Sequence, residues 1–343
     1  MGALRPGDAL PFCYGMNATG TYWSFEDQAG RPTVLIVAAA QPPAVLSAIV
    51  EAFAAASGTL SELGAEAIVL CAGGAPAWTA WPAPAGVGHI HCMDRALFTA
   101  LGQEPAVIVA DRAMRFAGAV DADDATACVE DALALLRSLA REPSRAVRCL
   151  APVLVRPGVF DEDLCRRLIA RFEGGDHQEG AMASVDGDLA AINRVDPDKK
   201  HRRDLVLAGN DPLLAEATEA LSQRLVPDIA KAFQAQAAHA DRMLIARYDD
   251  TGGYFRRHRD NVSAHLAYRE FAVSVNLNAG AFEGGALRFP EFDDHDYLPP
   301  TGAGLVFSAS LLHEAAPVTR GSRYVFLTFL HTAAAEARRL RIA

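Results

Sequence analysis

Short unbroken apolar runs punctuate the first 140 residues: 33–37 (TVLIV), 67–71 (AIVLC) and 106–110 (AVIVA). Runs of this length, bounded by turn-forming residues, predict strands buried on both faces. Between them the period lengthens. Residues 44–56 follow Pro42 and Pro43 and read as a helix. Asp111 and Arg112 turn the chain into an antiparallel partner strand at 114–120. Residues 121–141 then place Val129, Ala132, Leu133, Leu136 and Leu139 on one helical face. The order βαβα followed by ββα predicts a central sheet with helices on both sides.

The pattern changes across 141–158 (REPSRAVRCLAPVLVRPG), which mixes charge, Pro and Gly and predicts a boundary between domains at 1–145 and 150–343. Asp161 is placed to cap a helix whose stripe is Leu164, Cys165, Leu168 and Phe172 and which ends at Gly174. Residues 175–203 show no period and read as a long loop or lid. A second helix opens at Asp211 with Pro212 in its first turn, and Pro227 is expected to break or kink it. Strands are expected at 243–248, 271–278, 286–289, 304–308 and 323–331. Two helices followed by a run of strands predict a β core braced on one side by helices.

Composition narrows the function classes. The 343 residues are 51% hydrophobic and 22% charged, ordinary for folded domains. A net charge of −10 without a basic stretch argues against a nucleic-acid partner. No apolar run approaches a membrane span, and residues 1–10 lack a signal-peptide pattern, so the expectation is a cytoplasmic protein with no membrane partner. The six cysteines are irregularly spaced, with no CxxC, and are expected to be free thiols.

The sharpest chemical feature is His258-Arg259-Asp260, with His313 further along. On an extended strand, side chains two apart share a face, so His258 and Asp260 can grip one ion and a later His can complete the set. Two imidazoles and one carboxylate on one face of an octahedron are the facial triad of non-haem Fe(II) oxygenases, and the absence of a thiolate disfavours structural zinc. Arg323 follows His313 closely, and a tight turn at 320–322 is expected to return it beside the metal. A buried guanidinium can hold the far carboxylate of an α-keto dicarboxylate through two parallel hydrogen bonds; a structural salt bridge is the alternative.

The segments ARYDDTGGYFRRHRDN (246–261), VSVNLN (273–278), FEGGALRFPEF (282–292) and GLVFSASLLHEAAPVTRGSRYVFLTFL (304–330) resemble the Fe(II)/2-oxoglutarate dioxygenases of the prolyl 4-hydroxylase type, from about residue 152 onwards. The resemblance implies a double-stranded β-helix, or jelly roll, with supporting helices. It implies His258, Asp260 and His313 as iron ligands, Arg323 as the anchor of the oxoglutarate C5 carboxylate, and Tyr248 as a further hydrogen-bond partner of that carboxylate. A core tyrosine is the alternative for Tyr248. Asn276 is a candidate contact to cosubstrate or substrate, or else a turn asparagine. Arg202, Arg203 and Asp204 form either a charged strand edge, the favoured reading, or a substrate-carboxylate site. Arg288 is either pocket-facing or solvent-facing. The implied cofactors are Fe(II), 2-oxoglutarate and dioxygen, and the implied products are succinate, CO2 and a hydroxylated substrate. That substrate is expected to be a free amino acid or a small peptide-like metabolite, with a prolyl or peptidyl site in a protein as the alternative.

The N-terminal half is similar to redoxins of the thioredoxin-like class, through GDALP (7–11), DQAGRPTVLIV (27–37) and EPAVIVADRAMRFAG (104–118), with Pro105 in the place of a cis-proline. The segment after the first long strand, AAAQPPAVLSA (38–48), lacks the peroxidatic cysteine. A non-catalytic thioredoxin-like domain is therefore expected, with docking, substrate presentation or a homodimer contact as its role. The rival functions are a non-enzymatic jelly-roll binding module and a thiol peroxidase with an unusual cysteine.

Overall fold

The computed structural model describes residues 4–38, 44–72, 84–93, 96–101, 106–139, 146–147, 149–185 and 191–342. Pro105, residues 39–43 and residues 186–190 of the expected lid lie outside them. The chain divides into two compact units, Met1–Ser144 and Arg145–Ala343.

The first unit is a seven-stranded sheet of β1 (Tyr14–Asn17), β2 (Tyr22–Ser24), β3 (Thr33–Ala38), β4 (Glu66–Ala72), β5 (Val87–Cys92), β6 (Ala106–Ala110) and β7 (Phe116–Val120), in the order β2-β1-β5-β4-β3-β6-β7. β3, β4 and β5 are parallel, and β6 runs antiparallel to β3. Alternate residues explain the unbroken apolar runs. Val34, Ile36, Val69 and Val109 pack towards α1 (Ala44–Ala55), α2 (Ser57–Glu62) and α4 (Ala125–Ser138), while Leu35, Val37, Ile68 and Ile108 pack on the other face towards Phe25 and towards Leu97 and Phe98 of α3 (Ala96–Leu101). The last helix starts later than 121 because Asp124 caps it, its carboxylate accepting from Ala127 N at 2.8 Å. This thioredoxin-like sheet also contains β1, β2 and β5, which were not predicted. β5 (VGHIHC) interleaves Gly and His among its apolar residues and gives no continuous run.

The second unit is a double-stranded β-helix. Its large sheet runs β8 (Leu154–Arg156), β19 (Gly304–Ser308), β16 (Phe271–Asn276), β21 (Val318–Thr332), β14 (Ala237–Asp249), β13 (Arg203–Val206), β9 (Gln178–Glu179), with β17 (Phe282–Gly284) also pairing β21. The small sheet is β12 (Lys200–His201), β15 (Tyr254–His258), β20 (His313–Ala315), β18 (Leu287–Arg288). Period-two alternation divides the large sheet between two cores. Ile245, Val273, Val275, Val306 and Phe326 face α5 (Glu162–Glu173), α6 (Pro212–Arg224) and α7 (Val226–Phe233). Leu244, Ala246, Ala272, Leu305, Phe307 and Val325 face inward towards the small sheet. The first helix is capped as expected by Asp161, which accepts from Leu164 N at 2.8 Å, and ends at Gly174. The second helical stretch breaks at Leu225, leaving Pro227 in the first turn of α7, where its missing N–H costs nothing.

Three expectations are corrected. Residues 175–203 are not simply a loop: they carry β9, β12 and a hairpin of β10 (Met182–Val185) with β11 (Ala191–Arg194). The strand expected at 286–289 is only the two residues of β18. Nor do residues 320–322 turn the chain. The chain runs on from β20 into β21 without reversing, because residues 282–288 pair antiparallel along both, and β17 keeps β21 extended through Gly321. Gly321 absorbs the distortion at φ +72°, with Ala281 O only 2.6 Å from where a Cβ would stand.

Gly302 pins the outer helices to the sheet. It sits at φ +74°, and a Cβ there would lie 2.0 Å from Phe160 O. Its carbonyl accepts from Phe160 N at 3.0 Å and its N–H donates to Asn276 O at 2.8 Å. Gly302→Ala combines left-handed strain with a backbone clash and is expected to cost more than about 2 kcal/mol. The check is a lowered thermal transition of the second unit.

Candidate active site

A cavity of about 1220 Å³ opens between the two sheets, and His258, Asp260 and His313 line it. Antiparallel pairing of β15 with β20 sets His258 directly across from His313, with ring centroids 4.3 Å apart. Asp260 lies beyond the end of β15, not on the same strand as His258, and its N–H donates to Ala309 O at 2.9 Å. That bend, rather than strand alternation, delivers the carboxylate. Its oxygens stand 3.6 Å from His258 Nε2 and 3.5 Å from His313 Nε2. One donor atom from each of the three residues falls within 4.8 Å of the others.

Hydrogen bonds outside the triad fix which nitrogen faces inward. His258 Nδ1 lies 2.7 Å from Arg256 O and His313 Nδ1 lies 3.0 Å from Leu311 O. A carbonyl can only accept, so both Nδ1 atoms carry a proton and both Nε2 atoms face the carboxylate. Two imidazole nitrogens and one carboxylate converging on one point offer three donor atoms to a cation, and that set suits Fe(II). Burial, the largest influence, pushes His313 down to about 4, so its ring is neutral and ligating at physiological pH. Burial alone would raise the Asp260 carboxyl, but His313 and His258 outweigh it and hold the group below its ordinary value. Phe255 stacks on His258, and Phe307 meets His313 edge-on at 4.6 Å. Glu291 ties the surrounding loops together, accepting from Arg259 Nη2 at 2.6 Å and from Leu312 N at 3.1 Å.

Arg323 occupies another part of the cavity. It is 2% exposed and sits across from Tyr248 in the β14–β21 pairing. Its guanidinium donates to Asn276 Oδ1 at 3.3 and 3.0 Å, and among the described residues no carboxylate pairs with it. Burial, with Arg202 adding repulsion, pushes Arg323 down to about 10, so it stays charged at neutral pH. The salt-bridge alternative therefore does not hold. Gly285, at φ +66°, leaves room for this side chain, since a Cβ there would approach Arg323 Cδ to 3.0 Å.

Asn276 does not present a free amide to the cavity. Its oxygen serves Arg323 and its nitrogen donates to Pro299 O at 2.7 Å, so it orients the guanidinium instead. Asn278 likewise bonds backbone, at Ser322 O and Tyr324 N. Tyr248 is not tied to backbone: its hydroxyl accepts from Arg202 Nη1 at 2.7 Å. Arg202 and the buried Asp204 line the cavity, whereas Arg203 is exposed near Glu179, so the charged-edge expectation holds for Arg203 alone. The alternation in HRRDLV carried that signal. Arg288 points away, pairing with Asp296 at 2.5 Å.

Residues 243–331 match the 2OG-Fe(II) oxygenase superfamily model. The second unit carries a 2OG-Fe(II) oxygenase domain. The chain is accordingly a 2-oxoglutarate-dependent non-haem iron dioxygenase, and the cofactors of that family are Fe(II), 2-oxoglutarate and dioxygen. No curated protein matches the sequence. Among solved structures, a prolyl-4-hydroxylase from Pseudomonas putida is similar at 20% identity, over 53% of this chain and 93% of that one, with a TM-score of 0.40. A prolyl hydroxylase from Trichoplax adhaerens, in complex with a hypoxia inducible factor peptide fragment, is similar at 16% identity over 56% and 87%, with a TM-score of 0.42. The peroxidoxin BcpB of Mycobacterium tuberculosis is similar at 15% identity, over 40% of this chain and 99% of that one, with a TM-score of 0.35. Among the described residues no helix is long and apolar enough to cross a membrane.

The thiols of the first unit are poorly placed for nucleophilic chemistry. Cys13, Cys71, Cys92 and Cys128 are all buried. Burial, reinforced by Cys92, pushes the Cys71 thiol far up, although His89 Nε2 lies 3.1 Å from its sulfur, and burial raises Cys128 to about 11. Of the six cysteines only Cys149 is exposed. Iodoacetamide at neutral pH is expected to label Cys149 rapidly and the other five only on unfolding, as read by peptide mass spectrometry.

Proposed function

We propose that the enzyme hydroxylates an unactivated C–H bond of a free amino acid or small peptide-like metabolite. In this reading His258, Asp260 and His313 hold Fe(II), while Arg323 and Tyr248 hold the distal carboxylate of 2-oxoglutarate. One observation carries it: two imidazole nitrogens and a carboxylate converge in a cavity that also contains a buried arginine with no acidic partner among the described residues. Bound iron supplies the oxidising power that couples oxoglutarate decarboxylation to hydroxylation of the substrate.

The chain's own residues orient and exclude. Asn276 holds the Arg323 fork in one plane, so the carboxylate it receives is fixed in direction as well as position. Leu244, Leu287, Phe307 and Leu327 line the cavity with apolar surface, which limits water around the reacting groups. The first unit is assigned no catalytic step and a docking or presentation role. The test is Fe(II)-dependent succinate release, screened over free amino acids and short peptides. Stimulation by a member of the panel, abolished by chelator and restored by Fe(II), supports the proposal. Absence of oxoglutarate turnover under all conditions would overturn it.

A further inference from the structure

The cavity carries more fixed positive charge than one cosubstrate carboxylate requires, and the excess lies apart from Arg323. Strands β13 and β21 pair with opposite edges of β14, so Arg202 and Arg323 flank Tyr248 from two sides, 5.5 and 5.4 Å from its ring centre. Around Asp204 three cations gather: Arg202 Nε at 2.7 Å, Lys200 Nζ at 3.2 Å and Arg242 Nη2 at 3.6 Å. All four residues line the cavity; Lys200 and Asp204 are buried, and the Arg202 side chain is 8% exposed. Of the other acids nearby, Asp241 is engaged by Arg269 and Tyr268, and Glu179 faces Arg203. One carboxylate between two guanidiniums already leaves a surplus of positive charge in poorly solvated space, to which protonated Lys200 adds. Burial, with Arg202 adding repulsion, pushes Lys200 down to about 7, which reflects that crowding.

Arg242 is brought there by an irregular backbone. The pairing of β14 with β21 jumps from Asp241 to Leu244, leaving Arg242 and Met243 in a bulge. Arg242 adopts φ +49°, in the left-handed region that disfavours a long side chain. Bulges re-aim side chains, and strained residues of this kind gather at ligand clamps. Here the result is a guanidinium turned towards Asp204 and the cavity. At about 1220 Å³ the cavity also exceeds the usual range of about 300–1000 Å³ for a small-molecule site, leaving room for a second ligand beside the cosubstrate.

We propose that Arg242, Arg202 and Lys200 form a second anion subsite that receives a carboxylate of the substrate, so that the substrate is an acid rather than an internal peptide residue. This rests on the dioxygenase reading above, and it deepens that reading by naming the group the substrate must carry. Arg242 supplies a planar donor pair, while Arg202, held by Asp204 and Tyr248, adds charge beside it and leaves the cluster cationic.

The test is anaerobic calorimetry on the full chain loaded with Mn(II) and 2-oxoglutarate, using matched acids and amides: L-proline and L-prolinamide, L-leucine and L-leucinamide, L-glutamate and L-glutamine. At least one acid is expected to bind about tenfold or more tightly than its amide. Arg242→Gln should reduce that ratio to below about threefold and Arg242→Lys should restore part of it, with thermal melts confirming that both variants fold. The proposal is overturned if no acid binds better than its amide, or if the ratio survives in Arg242→Gln. It is also overturned if Arg242→Gln weakens oxoglutarate itself by about tenfold, which would assign the cluster to the cosubstrate. Failure of Mn(II) and oxoglutarate to bind at all would count against the dioxygenase reading, and the acid–amide comparison on the metal-free chain would then decide the subsite separately.

Discussion

Asp260→Ala is expected to lower Fe(II)-dependent succinate release by a factor on the order of 100 or more while leaving the fold intact. The loss follows from the donor set. With the carboxylate gone, two neutral imidazoles remain, and neither neutralises charge on the ion nor closes the third position of the triangle. The fold should tolerate the change because Asp260 is positioned through its backbone, whose N–H donates to Ala309 O in the variant as in the parent. Its side chain pairs with the two histidines, whose Nδ1 atoms stay anchored to Arg256 O and Leu311 O, so the packing around it should survive. Anaerobic Mn(II) titration, succinate assay and a thermal melt separate the effects. Full activity in Asp260→Ala would mean that the iron is held elsewhere. A collapsed melt would mean that the carboxylate is a structural element.

Much of this site was legible because its chemistry depends on residue type at close sequence spacing. Residue type alone singles out His258, Asp260, His313 and Arg323, and all four line one cavity, although two of the geometric expectations about them fail. Asp260 reaches the triad by leaving the strand, and Arg323 reaches the cavity along a strand that runs through 320–322 without turning. The misplaced turn has a plain cause: Arg320-Gly321-Ser322 looks like punctuation until β17 provides the partner that keeps it extended. The large sheet was legible in outline because its inner strands alternate between two apolar cores, so 304–308 and 271–276 stand out as buried runs. The small sheet was not. β12 and β15 are rich in Lys, Arg and His because their inner faces line a charged cavity, and a hydrophobic pattern cannot mark strands that exist to carry polar groups. Arg242 was invisible for a different reason, since nothing local in AHADRML announces a bulge whose location is set by pairing with β21.

Arg323→Met is expected to separate binding from stability. Removing one partner of a buried charge pair costs about 2–5 kcal/mol, so the Kd of 2-oxoglutarate should rise roughly 30-fold or more. Stability should move far less, because two opposing effects of similar size meet at this residue. Burial holds Arg323 at about 10 against an ordinary 12.5, a penalty on its charged form of about 3 kcal/mol at roughly 1.4 kcal/mol per pH unit. Methionine removes that penalty but leaves Asn276 Oδ1 buried without its donor, at a cost of about 1–3 kcal/mol. The balance lies within about 2 kcal/mol of zero. Its sign with pH is also fixed. Arg323 is protonated in both folded and unfolded chains below about 10, so the difference between variant and parent should stay flat across neutral pH. Only above about 10 should it shift, in the parent's favour, as the folded state alone gives up the proton. Arg323→Lys keeps the charge without the planar fork and should bind oxoglutarate with intermediate affinity. Calorimetry with oxoglutarate and melts from pH 6 to 9 decide the matter. Undiminished oxoglutarate binding in Arg323→Met would remove the anchor from its assigned place. A large loss of stability with intermediate binding would make the guanidinium a part of the core rather than a receptor held open for an anion.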